Sequence, residues 1–367
     1  MNGILIRHGG DPVNLKKRNP GIELLRIICM LCVIIQHIIG HGWVIQSLHP
    51  GTWKYEYVAA LRSLCIFGIS GFALISGYVG VRARFKYSSV LLQWTKVWLY
   101  AVFFTALCSV LIPGSVKQED WIAALFPTLN RMFWYFTAYL GSTMITPLIR
   151  KAMRQMTYRQ GTVCAVMLIV VFSMLSNAFD GDAFYVDMGT GTLWLVVLYA
   201  LGAYLGQFHP HERVPMAVLW MMAIGSSLLM AALQPVAQRL GIGYLSGDPR
   251  NNSFQTLLMA LSLLMLFSRL EIRHGKRLIT WLGSASFGVY VIHDHPLIRR
   301  YTISRYSHLL MQLDNVEIIA GIILASAAIY VVCALIDSLR QKIYDILGIK
   351  QKLELLESKL IGDLWAD

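Results

Sequence analysis

Long apolar runs broken by short polar clusters set the pattern of this chain. A helix that crosses a bilayer needs about 20 mostly apolar residues. Runs of that kind recur near residues 22–45, 57–79, 88–112, 132–149, 161–179, 190–207, 215–234, 253–270, 281–298 and 316–337. The pattern predicts an all-α integral membrane protein of about ten transmembrane helices. Between the runs, Lys16, Lys17 and Arg18, then Arg82, Arg84 and Lys86, then Arg150, Lys151, Arg154 and Arg159, then Arg269, Arg273, Lys276 and Arg277 all fall on one side. An excess of Lys and Arg marks cytoplasmic loops, so both termini are expected inside. The opposite loops are weakly charged or acidic, as with Glu119 and Asp120, or Asp180, Asp182 and Asp187. Arg299, Arg300 and Arg305 break the rule, since the alternation puts them outside. An anionic substrate, a lipid head group or plain interfacial anchoring would each suit them.

After the last run, Ile343, Ile346, Leu347, Leu353, Leu356, Leu360 and Leu364 recur at near-helical spacing among charges. That spacing predicts an amphipathic helix on the cytoplasmic membrane surface. The expected organisation is one membrane domain over residues 1–338 and this helix within 339–367. The first twenty residues are polar and basic, and the first apolar run is as long as a full span, so no cleavable signal peptide is read there.

Composition agrees with a membrane protein. Hydrophobic residues make up 56% of the 367 and charged residues 14%, against about 25% charged in a soluble globular chain. The mean hydropathy is +0.56. A net charge of +12 invites a nucleic-acid reading, but the basic residues lie in short clusters where orientation signals belong, which rejects it. The six cysteines, Cys29, Cys32, Cys65, Cys108, Cys164 and Cys333, all lie in apolar stretches. A disulfide framework is not expected there, and the Cys29/Cys32 pair reads as small packing residues.

Ionisable groups inside a membrane cost about 2.5–3.5 kcal/mol each at a helix centre, so each one is a functional hypothesis by default. The first run concentrates them. Glu23 and Arg26, three residues apart, share a helical face and can pair. His37 lies eleven residues beyond Arg26, about 16 Å along the axis and about three turns, so it points to nearly the same side. Snorkelling to the interface is the competing reading for Arg26, and a hydrogen bond to a neighbouring helix is the competing reading for His37.

The wider pattern resembles the membrane-bound acyltransferase 3 family. Arg26 and His37 match that family's arginine or lysine, ten residues, histidine signature in the first helix. "FALISGYVGVRARFKYSSVLLQWTKVWLYAVFF" resembles its second-to-third helix region, "FWYFTAYLGSTMITPLIRKAM" its Trp-Phe-containing fourth helix, and "GSASFGVYVIHDHPLI" its late S-x-x-x-Y-x-x-H element. Two departures stand out. The basic pair Arg82 and Arg84 has one intervening residue where two are common, and Lys96 replaces a common arginine, keeping the charge but losing the bidentate fork.

The resemblance implies transfer of an acyl group, usually acetyl, from cytoplasmic acetyl-CoA to a carbohydrate hydroxyl at the other face of a bacterial inner membrane. On that reading acetyl-CoA is a co-substrate and no cofactor is permanently bound. The partners are a carbohydrate or lipid-linked glycan acceptor, membrane lipids and, in a homo-oligomer, further copies of the chain. His37 is the expected acid-base residue, either for direct transfer or through an acyl-histidine. Arg26, held by Glu23, would bind the donor or stabilise the oxyanion. Arg82, Arg84, Lys86 and Lys96 would bind the donor, against a plain positive-inside role for the loop residues. Ser76 and Tyr78 flank Gly77 in the S-G-Y element, where helix packing is the alternative. Arg62, Arg131 and Trp134 near outer helix ends, and His293, are weaker acceptor or pocket candidates, with interfacial anchoring or packing as alternatives. No metal site is expected of His293, Asp294 and His295, because adjacent helical residues point in different directions. The rival class is a transporter or flippase for lipid-linked saccharides. It would need polar groups on several helices through the membrane depth, whereas here they gather on the first three helices and near the ends of others.

Overall fold

The computed structural model describes residues 18–177, 182–240, 250–360 and 362. Lys16, Lys17, Asp180 and Leu364, which entered the topology and amphipathicity readings, lie outside the described residues. The described chain is helical. Five segments are long and apolar enough to cross a membrane: Pro20–His41, Trp53–Gly80, Tyr87–Leu111, Tyr158–Asn177 and Glu317–Ile346. Three shorter apolar helices, Thr192–Phe208, Met216–Leu229 and Phe254–Ser268, correspond to three more of the expected runs. The remaining two fall on α6 (Trp134–Gln155) and α11 (Lys276–His293), which carry more polar residues because they wall a cavity.

α1 (Pro20–His41) is the axis of the fold. Asn19 caps it, its Oδ1 accepting from the Gly21 and Ile22 N–H groups at 2.8 and 3.4 Å, and Pro20 supplies a pre-set first turn. The same Asn19 donates through Nδ2 to the Ser268 carbonyl at 2.8 Å, which fastens α1 to the end of α10 (Phe254–Ser268). α3 (Gly68–Gly80), α11 and α14 (Glu317–Ile346) surround it. The run expected at 57–79 is broken: α2 (Trp53–Cys65) stops at Ile66 and α3 restarts at Gly68. A Cβ on Gly68 would lie 2.7 Å from the Cys29 carbonyl of α1, so the break sits where the two helices press together.

α3 also packs backbone to backbone on α8 (Thr192–Phe208). A Cβ on Gly77 would lie 2.0 Å from the Tyr199 carbonyl, and one on Gly202 2.1 Å from the Leu74 carbonyl. Small residues that let helices approach this closely replace hydrophobic driving force inside lipid. The lipid-facing surface is apolar in consequence, as on α14, where Leu324, Val332 and Leu335 are exposed.

Between these lie α4 (Tyr87–Leu111), α5 (Gln118–Leu125), α7 (Tyr158–Ile169) and α9 (Met216–Leu240). α7 continues into a wider π turn over Val170–Met174. Past α11 the chain turns at Asp294 into α12 (Pro296–Tyr301) and α13 (Ile303–Met311). α14 runs unbroken through residue 338, and α15 (Ile349–Leu360) follows. α15 does not lie free. Glu357 accepts from the Tyr87 and Ser88 N–H groups at 2.7 and 3.2 Å, and Lys86 donates to Glu354 at 2.9 Å. Glu357 thereby caps α4, which has no side-chain cap of its own.

Candidate active site

The polar face of α1 opens on a cavity of about 270 Å³. Arg26 and His37 of α1, Ser76 of α3, Lys96 of α4 and Trp134 of α6 all reach its wall, as do Ser286 and Tyr290 of α11. The α-helical spacing holds Arg26 and His37 about 16 Å apart, so the cavity follows α1 for about three turns. Glu23 stands behind Arg26, whose Nη1 donates to Glu23 Oε1 at 3.2 Å; Arg18 Nη1 approaches the same oxygen at 4.0 Å. Gly283 makes room for this carboxylate, since a Cβ there would come within 2.5 Å of Glu23 Oε2.

His37 meets a second histidine from 256 residues further along the chain: its Nδ1 lies 3.0 Å from His293 Nε2. The other nitrogen of His293, Nδ1, is 2.7 Å from the Val289 carbonyl. A carbonyl oxygen only accepts, so His293 Nδ1 carries the proton and the neutral ring presents a bare Nε2. That lone pair must be met by the proton of His37 Nδ1. His37 is thus held with Nε2 unprotonated, and among the described residues that nitrogen has no hydrogen-bond partner. The geometry leaves one basic nitrogen in the cavity wall.

A carboxylate completes the arrangement. Asp294 Oδ1 lies 3.4 Å from His37 Nδ1 and accepts from Arg299 Nη1 at 2.8 Å. Arg299 Nη1 is also 3.2 Å from His41 Nε2, and His41 sits one turn outward from His37 with ring centroids 5.0 Å apart. This gives Arg299, the arginine that defied the charge rule, a place: its charge balances a buried acid. His37, His41 and Asp294 offer ligand atoms within 4.8 Å of one another, and the guanidinium already lies against two of the three. Tyr290, one turn before His293 on α11, is buried and lines the cavity; its hydroxyl lies near the Tyr135 and Phe136 N–H groups, and its proton has no acceptor among the described residues.

An acyltransferase 3 family model, described as an acyltransferase domain, matches residues 19–337. The chain belongs to the acyltransferase 3 family. No curated protein and no solved structure shows significant similarity to it. The match spans nearly all of this acyltransferase, from the cap of α1 to Asp337, and so takes in every wall of the cavity except Arg18.

The remaining expected residues lie elsewhere. Arg82 donates through Nη2 to the Gln207 carbonyl at 3.3 Å, Lys86 is paired with Glu354, and neither they nor Arg84 lines the cavity. Tyr78 packs its ring edge-on to His209 at 6.0 Å. Arg62 lies in the last turn of α2, its carbonyl receiving Gln36 Nε2, and Arg131 Nη2 lies 3.8 Å from Asp187 Oδ2 in an exposed loop.

A second buried charge cluster had a sequence signal that is easy to misplace. Asp337 is fully buried and accepts from Tyr100 Oη at 2.9 Å, Arg340 Nε at 2.9 Å and Gln341 Nε2 at 2.7 Å. It is an acid in an apolar run, but it falls at the expected end of the last span and reads there as a boundary residue. The close approach of α11 is built for it, since a Cβ on Gly288 would lie 2.2 Å from the carboxylate.

Proposed function

We propose that this acyltransferase moves an acetyl group from acetyl-CoA, entering from the cytoplasmic side, to a hydroxyl of a cell-surface or lipid-linked carbohydrate presented at the outer side of a bacterial inner membrane. The full reading includes ten spans with both termini cytoplasmic. The observation that carries it is the setting of His37: its Nδ1 lies 3.0 Å from His293 Nε2, and its Nε2, in the wall of a cavity that also reaches Arg26, has no partner among the described residues.

The chemistry follows from that arrangement. His37 Nε2 takes the proton of the acceptor hydroxyl as its oxygen attacks the thioester carbonyl carbon. Asp294, 3.4 Å from Nδ1, balances the imidazolium that forms. The tetrahedral oxyanion needs a donor, and the Tyr290 hydroxyl, whose proton has no acceptor among the described residues, supplies one. When the carbon–sulfur bond breaks, the leaving thiolate takes the proton back from Nε2, and the ring returns to its starting tautomer. Arg26, three turns away, serves the donor rather than the reacting carbonyl, and Glu23 holds it there. Lys96 adds a second positive charge to the donor's path.

The test uses membranes holding wild-type protein or His37→Ala at matched levels, with labelled acetyl-CoA and the host's glycans present. Alkali-labile label in lipid-linked or polymeric glycan that vanishes in the variant is the expected result. Equal incorporation by both removes His37 from the mechanism. No incorporation by either, with labelled saccharide crossing the membrane instead, makes the chain a transporter.

A further inference from the structure

Beside the narrow cavity at His37, about 270 Å³, a second and open cavity of about 1260 Å³ adjoins it on the cytoplasmic side. The two share Arg18 and Ser284 as wall residues. The larger one lies between the start of α1 and the turn from α10 into α11, and Arg18, Arg273, Lys276 and Arg277 line it. Arg269 is there too, but its Nη1 already donates to the His211 and Val214 carbonyls at 3.1 and 2.6 Å. Against these five cations stands one acid, Glu271. α11, an 18-residue helix, starts in this wall with no side-chain cap on its first turn, and Trp281 adds an aromatic ring fixed by its N–H to Ser338 Oγ at 2.9 Å.

We infer that this vestibule binds the nucleotide end of the donor, the adenosine bisphosphate of coenzyme A, while the narrow cavity takes the acyl-bearing arm. The inference rests on the acetyl-CoA reading above and adds the place of the phosphates. Several phosphate charges demand several cations and open amides, and the vestibule offers both next to a channel leading to His37. Inside that channel Lys96 is nine-tenths buried, with the Phe287 ring 5.2 Å from its Nζ, no direct salt bridge among the described residues, and the Asp337 carboxylate acting on its charge from beyond ion-pair distance. Its charge is balanced only in part, by a carboxylate that Tyr100, Arg340 and Gln341 already share, so it adds to the channel's attraction for an anion. The cluster after α3 is differently placed: Lys86 and the first amides of α4 are already met by Glu354 and Glu357.

The experiment uses the full chain in nanodiscs with labelled adenosine 3′,5′-bisphosphate, which has phosphates but no acyl arm, alongside acetyl-transfer kinetics. Wild type is expected to bind it and to be inhibited competitively against acetyl-CoA. Arg273→Gln with Arg277→Gln is expected to weaken binding and raise KM for acetyl-CoA by about tenfold or more, one charge-assisted contact being worth that, with kcat retained. Arg273→Lys with Arg277→Lys keeps the orientation charge and is expected to lose less; Lys151→Gln, away from both cavities, serves as the control. Unchanged bisphosphate affinity and KM in the double Gln variant, a loss seen only with Arg82→Gln and Arg84→Gln, or no binding by wild type overturns the site. Binding that depends on Arg273 and Arg277 in a protein that transfers no acetyl keeps the site and removes the acetyl-transfer reading. Transfer at wild-type KM in the variant does the opposite.

Discussion

Two charged clusters are buried in this helical bundle, and they differ in what they leave unsatisfied. Around Asp337 three donors from Tyr100, Arg340 and Gln341 use both carboxylate oxygens. Around His37 the partners from His293 and Asp294 converge on one nitrogen and leave the other bare, with the Tyr290 hydroxyl proton also lacking an acceptor among the described residues. A polar network closed on itself fixes helices in place, whereas one with an open valence inside a cavity is prepared for a ligand. The difference teaches that burial of charge alone does not mark a membrane active site; incomplete pairing beside empty volume does.

The contrast breaks most sharply at His37. Replacement by alanine is expected to lower acetyl transfer by about 10²–10⁴-fold, the usual worth of a general base, while thermal stability in detergent stays near wild type. A large fall in melting temperature would make His37 a packing residue instead. Asp337→Ala is expected to do the reverse. It strands Arg340 in a buried site, at a cost of about 3–5 kcal/mol, so the melting temperature and the yield of folded protein should drop before the rate per folded molecule does.

Tyr290→Phe sharpens the comparison because it removes only a hydroxyl whose proton has no acceptor among the described residues. Loss of an oxyanion donor lowers kcat by about 10²–10³-fold, with KM for acetyl-CoA and stability unchanged; an unaltered kcat would return Tyr290 to the core. The smallest effect belongs to the tail. Burial works to raise the Glu357 pKa, but hydrogen bonds from Ser88 and Tyr87 and the Lys86 charge outweigh it and hold the carboxylate below its ordinary value of 4.5. A depressed carboxylate contributes stability above its unfolded pKa and loses it as pH falls through the folded one. Docking of α15 is therefore expected to persist above about pH 4.5 and weaken below it. Faster exchange of the Tyr87 and Ser88 amides, after correction for intrinsic rates, would report the change.

Much of this was legible in the sequence because lipid makes charge conspicuous. Arg26 and His37 stood out as interruptions of an apolar run, and helical spacing placed them on one face, where the cavity lies. The helices themselves follow from the same hydropathy, though α8 and α10, at 17 and 15 residues, are shorter than an independent span. What could not be read was partnership across the chain. His293 meets His37 from another helix, and no local pattern encodes that contact. Arg299 announced itself only as a violation of the positive-inside rule, and its reason, a buried Asp294, needed the fold. Asp337 carried the same signal as Arg26 but sat where a span was expected to end.

The dead ends around His37 have an electrical consequence. A histidine that gains and loses protons between an inner cavity and an outer turn is one link short of a proton conductor, and each charge leaked across 100 mV would dissipate about 2.3 kcal/mol. Here the two groups that meet His37 Nδ1 each end on a partner within the fold. His293 ends on the Val289 carbonyl, which takes no proton, and Asp294 ends on Arg299, which gives none up. On the proposed mechanism, the His37 proton would then return to the reacting centre instead of passing along either branch.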